Sequence, residues 1–316
     1  MISVSEYNPD EDSLYESSLD NVNFHNTKLI TCIEPTAAEF EILSQRLEIP
    51  LDVLEQSADD KERPNMNELG AFTIVVFKAP VKRKEKMRTY SFTSYLSENL
   101  LLIISKHDIT GLSNFLNLPV EARRRFFRKG TTYLLYEIIE KVMDDYFKCH
   151  EELENHINFL EDQMLDVNKT KSLKGVFKLK TNLIYFNKAL SANRDVIMAL
   201  EKGISNNVNI AQVGHFRLVY NDIIQLIDII STDREVVAGA VEIYLSSVSN
   251  NLNVSIKKMT AWASLVLIPT FIASLYGMNF KFMPEIPWKY GYMFSLGLMA
   301  ASVIALYVFF KKKEYL

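Results

Sequence analysis

Two stretches near the C-terminus constrain this chain more than any other feature. Residues 259–276 (MTAWASLVLIPTFIASLY) and 290–310 (YGYMFSLGLMAASVIALYVFF) contain no charged residue. At about 1.5 Å of helical rise per residue their 18 and 21 residues reach roughly 27 and 31 Å, enough for a hydrocarbon core about 30 Å thick. Both read as transmembrane helices. The competing reading, two buried helices of a soluble protein, fits poorly, because soluble helices seldom run so far without a charge.

Orientation follows from the flanks. Lys257 and Lys258 precede the first span and Lys311, Lys312 and Lys313 follow the second, whereas the connecting loop holds Lys281, Lys289 and Glu285. Positive charge favours the cytoplasmic side, so the chain is expected to cross the cell membrane (inner or plasma membrane) twice, with both termini in the cytoplasm and the loop outside. The acidic start, MISVSEYNPDEDSLYESS, lacks the basic and apolar regions of a signal peptide. Everything before the first span is therefore expected to stay in the cytoplasm.

Composition removes several function classes. Lys+Arg number 35 against 39 Asp+Glu, a formal charge of -4, and no basic face is evident for nucleic acid. With 48% hydrophobic residues, 10 Gly and 9 Pro, the chain is neither disordered nor of low complexity. Cys32 and Cys149 lie far apart and form no C-x-x-C pair, so they are expected to be small buried hydrophobes rather than a disulfide or a zinc site.

Ahead of the membrane the pattern changes once. Across residues 28–108 the runs KLITCI, AFTIVVFKA, RTYSFTSYL and NLLLIIS read as strands, and PTAAEFEILSQRL as a helix begun by Pro35-Thr36. This predicts a cytoplasmic α+β domain over 1–130. Residues 131–258 then read as long antiparallel helices forming a stalk, with weak points at 166–171 and 203–209. The last helix starts near Gln212 and meets no proline before Pro269, inside the first span. The predicted order closes with a first membrane helix over 259–280, an outer loop over 281–289, a second helix over 290–310 and a basic tail over 311–316.

Counting back in sevens from Thr270 gives Ala263, Ile256, Ser249, Glu242, Glu235 and Asp228; from Ser274 it gives Leu267, Thr260, Asn253, Ser246 and Gly239. A seven-residue repeat implies a supercoil with neighbouring helices, and a stripe of small or hydroxyl residues permits close packing or lines a wet path. Simple coiled-coil packing competes at every single position. Together, Asn253, Thr270 and Ser274 above the acids favour a water-accessible pore. Two spans cannot enclose one alone, so this reading requires an oligomer with the first helix of each subunit around an axis. Asp228, Glu235 and Glu242 then form rings of carboxylates, a cation-attracting funnel, although a solvated acidic face explains the same spacing. The first span ends in Tyr276-Gly277-Met278-Asn279-Phe280, followed by Met283-Pro284-Glu285. A left-handed helix cap at Gly277 or Asn279 explains that tripeptide locally.

The YGMNF and MPE motifs, between two C-terminal spans and a Lys-rich tail, resemble the CorA family of magnesium and cobalt channels. The resemblance extends upstream through IPTFIASLYGMNF and REVVAGAVEIYLSSVSNNLN, and less sharply to Arg63-Pro64 and residues 35–56. It implies a homopentamer in which a cytoplasmic α/β domain and a funnel of long helices lead to a pore lined by the first membrane helix. It implies that Asn253, Ile256, Met259, Ala263, Leu267, Thr270, Ser274, Gly277 and Asn279 face the pore, with Met259 rather than Thr260 inward. Gly277, Met278 and Asn279 would form the filter, and Glu285 would attract cations; a solvated loop acid is the plain alternative for Glu285. Mg²⁺ dehydrates reluctantly and prefers oxygen ligands, so a ring of amide and carbonyl oxygens suits gripping the ion by its waters. Ile256, Met259 and Leu267 are apolar rings at which a narrow pore could close by dewetting. The resemblance also implies gating by cytoplasmic Mg²⁺, for which Asp222, Asp228, Glu235 and Glu242 are candidates by acidity only.

No enzyme is expected. His25, His107, His150, His156 and His215 form no HExxH, and no Gly-rich phosphate loop is present, so neither an organic cofactor nor ATP-driven transport is indicated. Passive inward flow of Mg²⁺ fits, with Co²⁺ and Ni²⁺ as further cargo. Two rivals stay open: a zinc, cobalt or nickel transporter of the same fold, and a membrane-tethered helical scaffold that conducts nothing.

Overall fold

The computed structural model describes residues 2–17, 19, 26–83, 86–165, 173–281 and 283–315. His25 and the expected break at 166–171 lie outside the described residues. The chain divides into two compact units, one from Met1–Gln163 with Lys171–Gly239, the other including Ala240–Leu316.

The first unit is built on a sheet of β1 (Ile2–Asn8), β2 (Ser13–Ser17), β3 (Thr27–Ile33), β4 (Asn65–Leu69), β5 (Phe72–Arg83), β6 (Lys86–Leu96) and β7 (Leu100–Ser105), in the order β2-β1-β3-β7-β6-β5-β4. Only β3 and β7 pair in parallel; the other neighbours are antiparallel. The four strand-like runs became β3, β5, β6 and β7. No strand was expected over β1, β2 or β4: β2 and β4 are largely exposed, and β1 buries the polar Ser5 and Glu6 together with Val4 and Tyr7, so its composition hides its burial. The LLLIIS run of β7 is buried throughout, as a central strand covered on both faces must be.

One face packs on α1 (Ala37–Leu47) and α2 (Leu51–Gln56): Ile30, Cys32, Leu102 and Ile104 meet Phe40, Leu43, Leu47 and Leu54. Thr36 starts α1 with a capping box, its hydroxyl accepting from the Glu39 N–H at 3.3 Å while the Glu39 carboxylate accepts from the Thr36 N–H at 2.9 Å, an arrangement worth about 1 kcal/mol. Cys32 is buried as expected; Cys149 is only half-buried. After β7 come the short helices α3 (Thr110–Leu116) and α4 (Val120–Phe127). Gly111 is where α3 meets the long helix α5 (Thr131–Leu165): a Cβ there would lie 2.7 Å from the Val142 nitrogen.

The long helices are α5 (Thr131–Leu165), α6 (Leu173–Glu201) and α7 (Val213–Tyr276). Tyr146 of α5 packs edge-on to Phe186 at 5.4 Å, and Leu160 lies 3.7 Å from where a Cβ on Gly175 would stand, so α5 and α6 run antiparallel. Glu201 meets Arg217 at 3.7 Å and Asn187 reaches Ser231 at 3.5 Å, which turns α7 antiparallel to α6. His150 and Asp233 then join α5 to α7 at 2.9 Å. The break at 203–209 is real: Gly203 takes φ +59°, and the Asn209 side chain caps a short 3-10 turn, Ile210–Gln212, that leads into α7.

α6 is tied to the sheet by a buried amide. The Asn193 side chain accepts from the Lys78 N–H at 2.9 Å and donates to the Lys78 carbonyl at 2.8 Å. It replaces the neighbouring strand that β5 lacks there, since β4 pairs only as far as Val76. Two residues on, Pro80 has no N–H to lose on that unpaired edge.

Candidate ion-conducting face

The second unit contains α7 from Ala240 onward, the loop after it, and α8 (Gly291–Lys312). Both helices are long and apolar enough to cross a membrane. α8 returns alongside α7, for the Lys257 ammonium lies 5.6 Å from the ring of Tyr315, just beyond the end of α8.

The buried positions of α7 in this span are Ala261, Leu265 and Ile272. At about 100° of turn per residue they fall within about 40° of one another. Asn253, Ile256, Met259, Ala263, Leu267, Thr270 and Ser274 all lie at least about 100° away from the centre of that face, and all are exposed in the single chain. Ala261 is 0% exposed whereas Met259 is 77% and Leu267 66% exposed. The expected pore stripe is thus one side of the helix that its own chain leaves uncovered. Thr260 is exposed on the same side, so Met259 and Thr260 are not separated by exposure.

Polar groups in the spans are largely satisfied locally. Ser264 and Thr270 donate to the Thr260 and Val266 carbonyls at 2.8 Å each, and Ser295 and Ser302 do the same on α8. With its hydrogen bound inward, the Thr270 hydroxyl presents lone pairs outward, as an acceptor for the hydrogens of water. Pro269 lies inside α7 and leaves the Leu265 carbonyl without its usual donor four residues on.

α7 ends at Tyr276, with the Gly277 N–H on the Ala273 carbonyl at 3.0 Å and the Met278 N–H on the Leu275 carbonyl at 3.3 Å. Neither Gly277 nor Asn279 takes a positive φ, so the left-handed cap that would explain the tripeptide locally is absent. Gly277, Met278 and Asn279 are exposed, and the Asn279 amide has no hydrogen-bond partner among the described residues. Past Phe282, which lies outside the described residues, Glu285 is half-buried. A Cβ on Gly291 would collide with the Glu285 carbonyl oxygen, so only glycine at the start of α8 lets the loop fold back this closely. Sequence reasoning missed Gly291, because a glycine beginning an apolar helix carries no signal of what will press on it. Trp288 packs at 5.8 Å from Phe294 and 6.3 Å from Tyr290, an aromatic cluster of the kind that settles at a membrane interface.

The four acids proposed for metal regulation differ in setting. Asp228, Glu235 and Glu242 are exposed. Asp222 is half-buried, and burial, then the Asp144 carboxylate, push its carboxyl up; it is not the ordinary surface acid its composition suggested. Among the described residues no three His, Cys, Asp or Glu converge on a metal position.

Residues 27–312 match the family described as CorA-like Mg2+ transporter protein. The chain is 33% identical over 274 residues to the cobalt/magnesium transport protein CorA of Thermotoga maritima, covering 84% of this chain and 76% of that one. It is 29% identical over 307 residues to the protein of the same name from Methanocaldococcus jannaschii, covering 96% of each. The complete structure of the CorA magnesium transporter from Methanocaldococcus jannaschii matches with a TM-score of 0.90 at 25% identity, covering 100% of this chain and 99% of that one. The match takes in the sheet from β3 onward, the three long helices and both apolar spans in one run, and on that extent the chain belongs to the CorA-like Mg2+ transporter family.

Proposed function

We propose that five copies of this chain assemble around an axis and conduct hydrated Mg²⁺, with Co²⁺ and Ni²⁺ as further cargo, passively into the cytoplasm. The observation that carries this reading is the exposed stripe on α7, opposite the face that the chain covers itself. A stripe mixing Asn, Thr and Ser with Met and Leu suits a shared lumen better than lipid. No Cys follows Cys149 and no His follows His215, so the membrane part offers the cation only oxygen and sulfur-ether groups, a set that leans toward hard ions.

In this reading Asn279, with no hydrogen-bond partner among the described residues of one chain, supplies a ring of amide oxygens that accept from the waters of the cation, with Gly277 and Met278 completing the filter. Neutral oxygens bind a hydrated divalent ion weakly enough to release it. Ile256, Met259 and Leu267 are the dewetting gate between Asn253 and Thr270, and Glu285 in the outer loop raises the local cation concentration. The cytoplasmic domain is 1–130 and the funnel 131–258, with Asp228, Glu235 and Glu242 around its axis. A regulatory Mg²⁺ would need ligands from two subunits, consistent with the lack of a convergent set among the described residues of one chain. Both termini lie in the cytoplasm, and an inside-negative potential of 100 mV drives each divalent ion inward with about 4.6 kcal/mol.

The test is Mg²⁺ uptake into dye-loaded proteoliposomes under an inside-negative potential. The parent should take up Mg²⁺ and be blocked by hexaammine cobalt, a mimic of the hydrated ion, and Asn279→Ala should lose at least about 90% of the flux, a tenfold fall. Uptake unchanged in Asn279→Ala would sink the filter assignment.

A further inference from the structure

The first unit holds a cavity that conduction does not use. It lies between the end of the sheet and α6, has a volume of about 770 Å³, and is walled by Lys61, Arg63, Lys78, Lys188, Arg194 and Tyr185. Five cations face two carboxylates there, in a chain whose net charge is -4. Both carboxylates are engaged: Asp60 bonds His107 at 3.1 Å, and Asp195 bonds Arg194 at 3.0 Å. Among the described residues no carboxylate lies within 4.0 Å of the charged end of Lys61, Arg63 or Lys188 in an ion pair, although Lys61 is one of the charges that hold Asp60 low.

Lys78 is the fixed point. Its backbone is clamped by the Asn193 amide and by the Tyr146 hydroxyl, which donates to the Lys78 carbonyl at 2.9 Å. Its half-buried ammonium donates to Ser91 Oγ at 2.8 Å and to the Asp60 carbonyl at 3.3 Å, with no carboxylate among these partners. Burial lowers the pKa of that ammonium despite the opposing pull of the Asp60, Asp59 and Glu62 carboxylates, with Lys188 adding to the lowering, and an anion at the cavity floor would offset the cost. Tyr185, 56% exposed, stands on the α6 wall of the cavity, and an aromatic ring there is a natural partner for a planar base. The volume is within the range of small-molecule sites.

We propose that this cavity binds a phosphate-bearing anion of nucleotide size, its phosphates on Lys78, Lys61, Arg63 and Lys188 and its base on Tyr185. Lys and Arg at several angles around a concave wall are the usual means of holding phosphate oxygens.

The experiment is calorimetric titration of the full chain in detergent with ATP and, separately, with inorganic tripolyphosphate, in buffer free of divalent cations. The parent should bind both, and added salt should weaken both. The variant Arg63→Glu/Lys188→Glu, changed only at exposed side chains and checked for an unaltered melting temperature, should bind each at least about tenfold more weakly. Tyr185→Ala should weaken ATP alone. No binding by the parent at about 1 mM, or equal affinity in the charge-reversed variant, overturns the site. Equal loss of both ligands in Tyr185→Ala, or no loss, overturns the stacking of a base. Binding is read without transport, so the result stands apart from the outcome of the uptake assay.

Discussion

At the scale of single residues, the acids of this chain divide by burial rather than by spacing. Glu140 on α5 is half-buried; burial and then the Glu137 carboxylate push its carboxyl up. Asp145, 5% exposed, is also raised, burial being the main cause, and its Oδ2 has no hydrogen-bond partner. A carboxyl raised in the fold keeps its proton where the unfolded chain has lost it. Stability therefore declines as pH rises from the ordinary carboxylate range through the raised value. Glu140→Gln should accordingly raise the melting temperature of the detergent-solubilised protein at pH 7, with a gain that shrinks toward about pH 4. A gain of equal size at both pH values would show that charge is not its cause. Sequence could not separate these acids from Glu235 or Glu242, because burial is decided by partners far along the chain.

At the scale of elements, the strongest signals were the longest. The start of α7 was legible, Val213 where the sequence suggested Gln212, because a long run of helical residues is read by periodicity alone; its end was not, since the helix stops at Tyr276 and does not run to 280 as expected. Strands β1, β2 and β4 were not legible, since β2 and β4 are short and largely exposed and β1 buries the polar Ser5 and Glu6, so all three are defined by their neighbours. The stripe on α7 also makes a prediction about function. Leu267→Ser should wet the proposed constriction and raise resting Mg²⁺ uptake severalfold in the proteoliposome assay. Ile304→Ser on α8, with 64% exposure close to the 66% of Leu267, should leave it at the parent level. Equal effects of the two would remove the distinction between lumen and lipid faces. The α3–α5 contact is a separate matter of packing: Gly111→Val should cost about 1–3 kcal/mol of stability by forcing the helices apart, measurable as a lower melting temperature.

At the scale of the whole molecule, two apolar spans per chain make association a requirement of any pore. Mass measurement of the detergent-solubilised protein should give about five chains per particle, and a stable monomer would defeat the pore altogether. What the sequence determined by itself was whatever depends on local composition: the two spans, their charged flanks, the uninterrupted helix leading into them, and the GMN tripeptide between them. Those follow from the exclusion of charge from hydrocarbon and from helical periodicity, both readable one window at a time. Only the tertiary structure decided which side of α7 its own chain covers, that Gly277 ends the helix without a left-handed turn, that Gly291 seats the Glu285 carbonyl, and that Asn193 stands in for a strand beside Lys78. Each of these rests on atoms from distant or facing segments meeting within a few ångströms, and no window of sequence contains both partners and the distance between them.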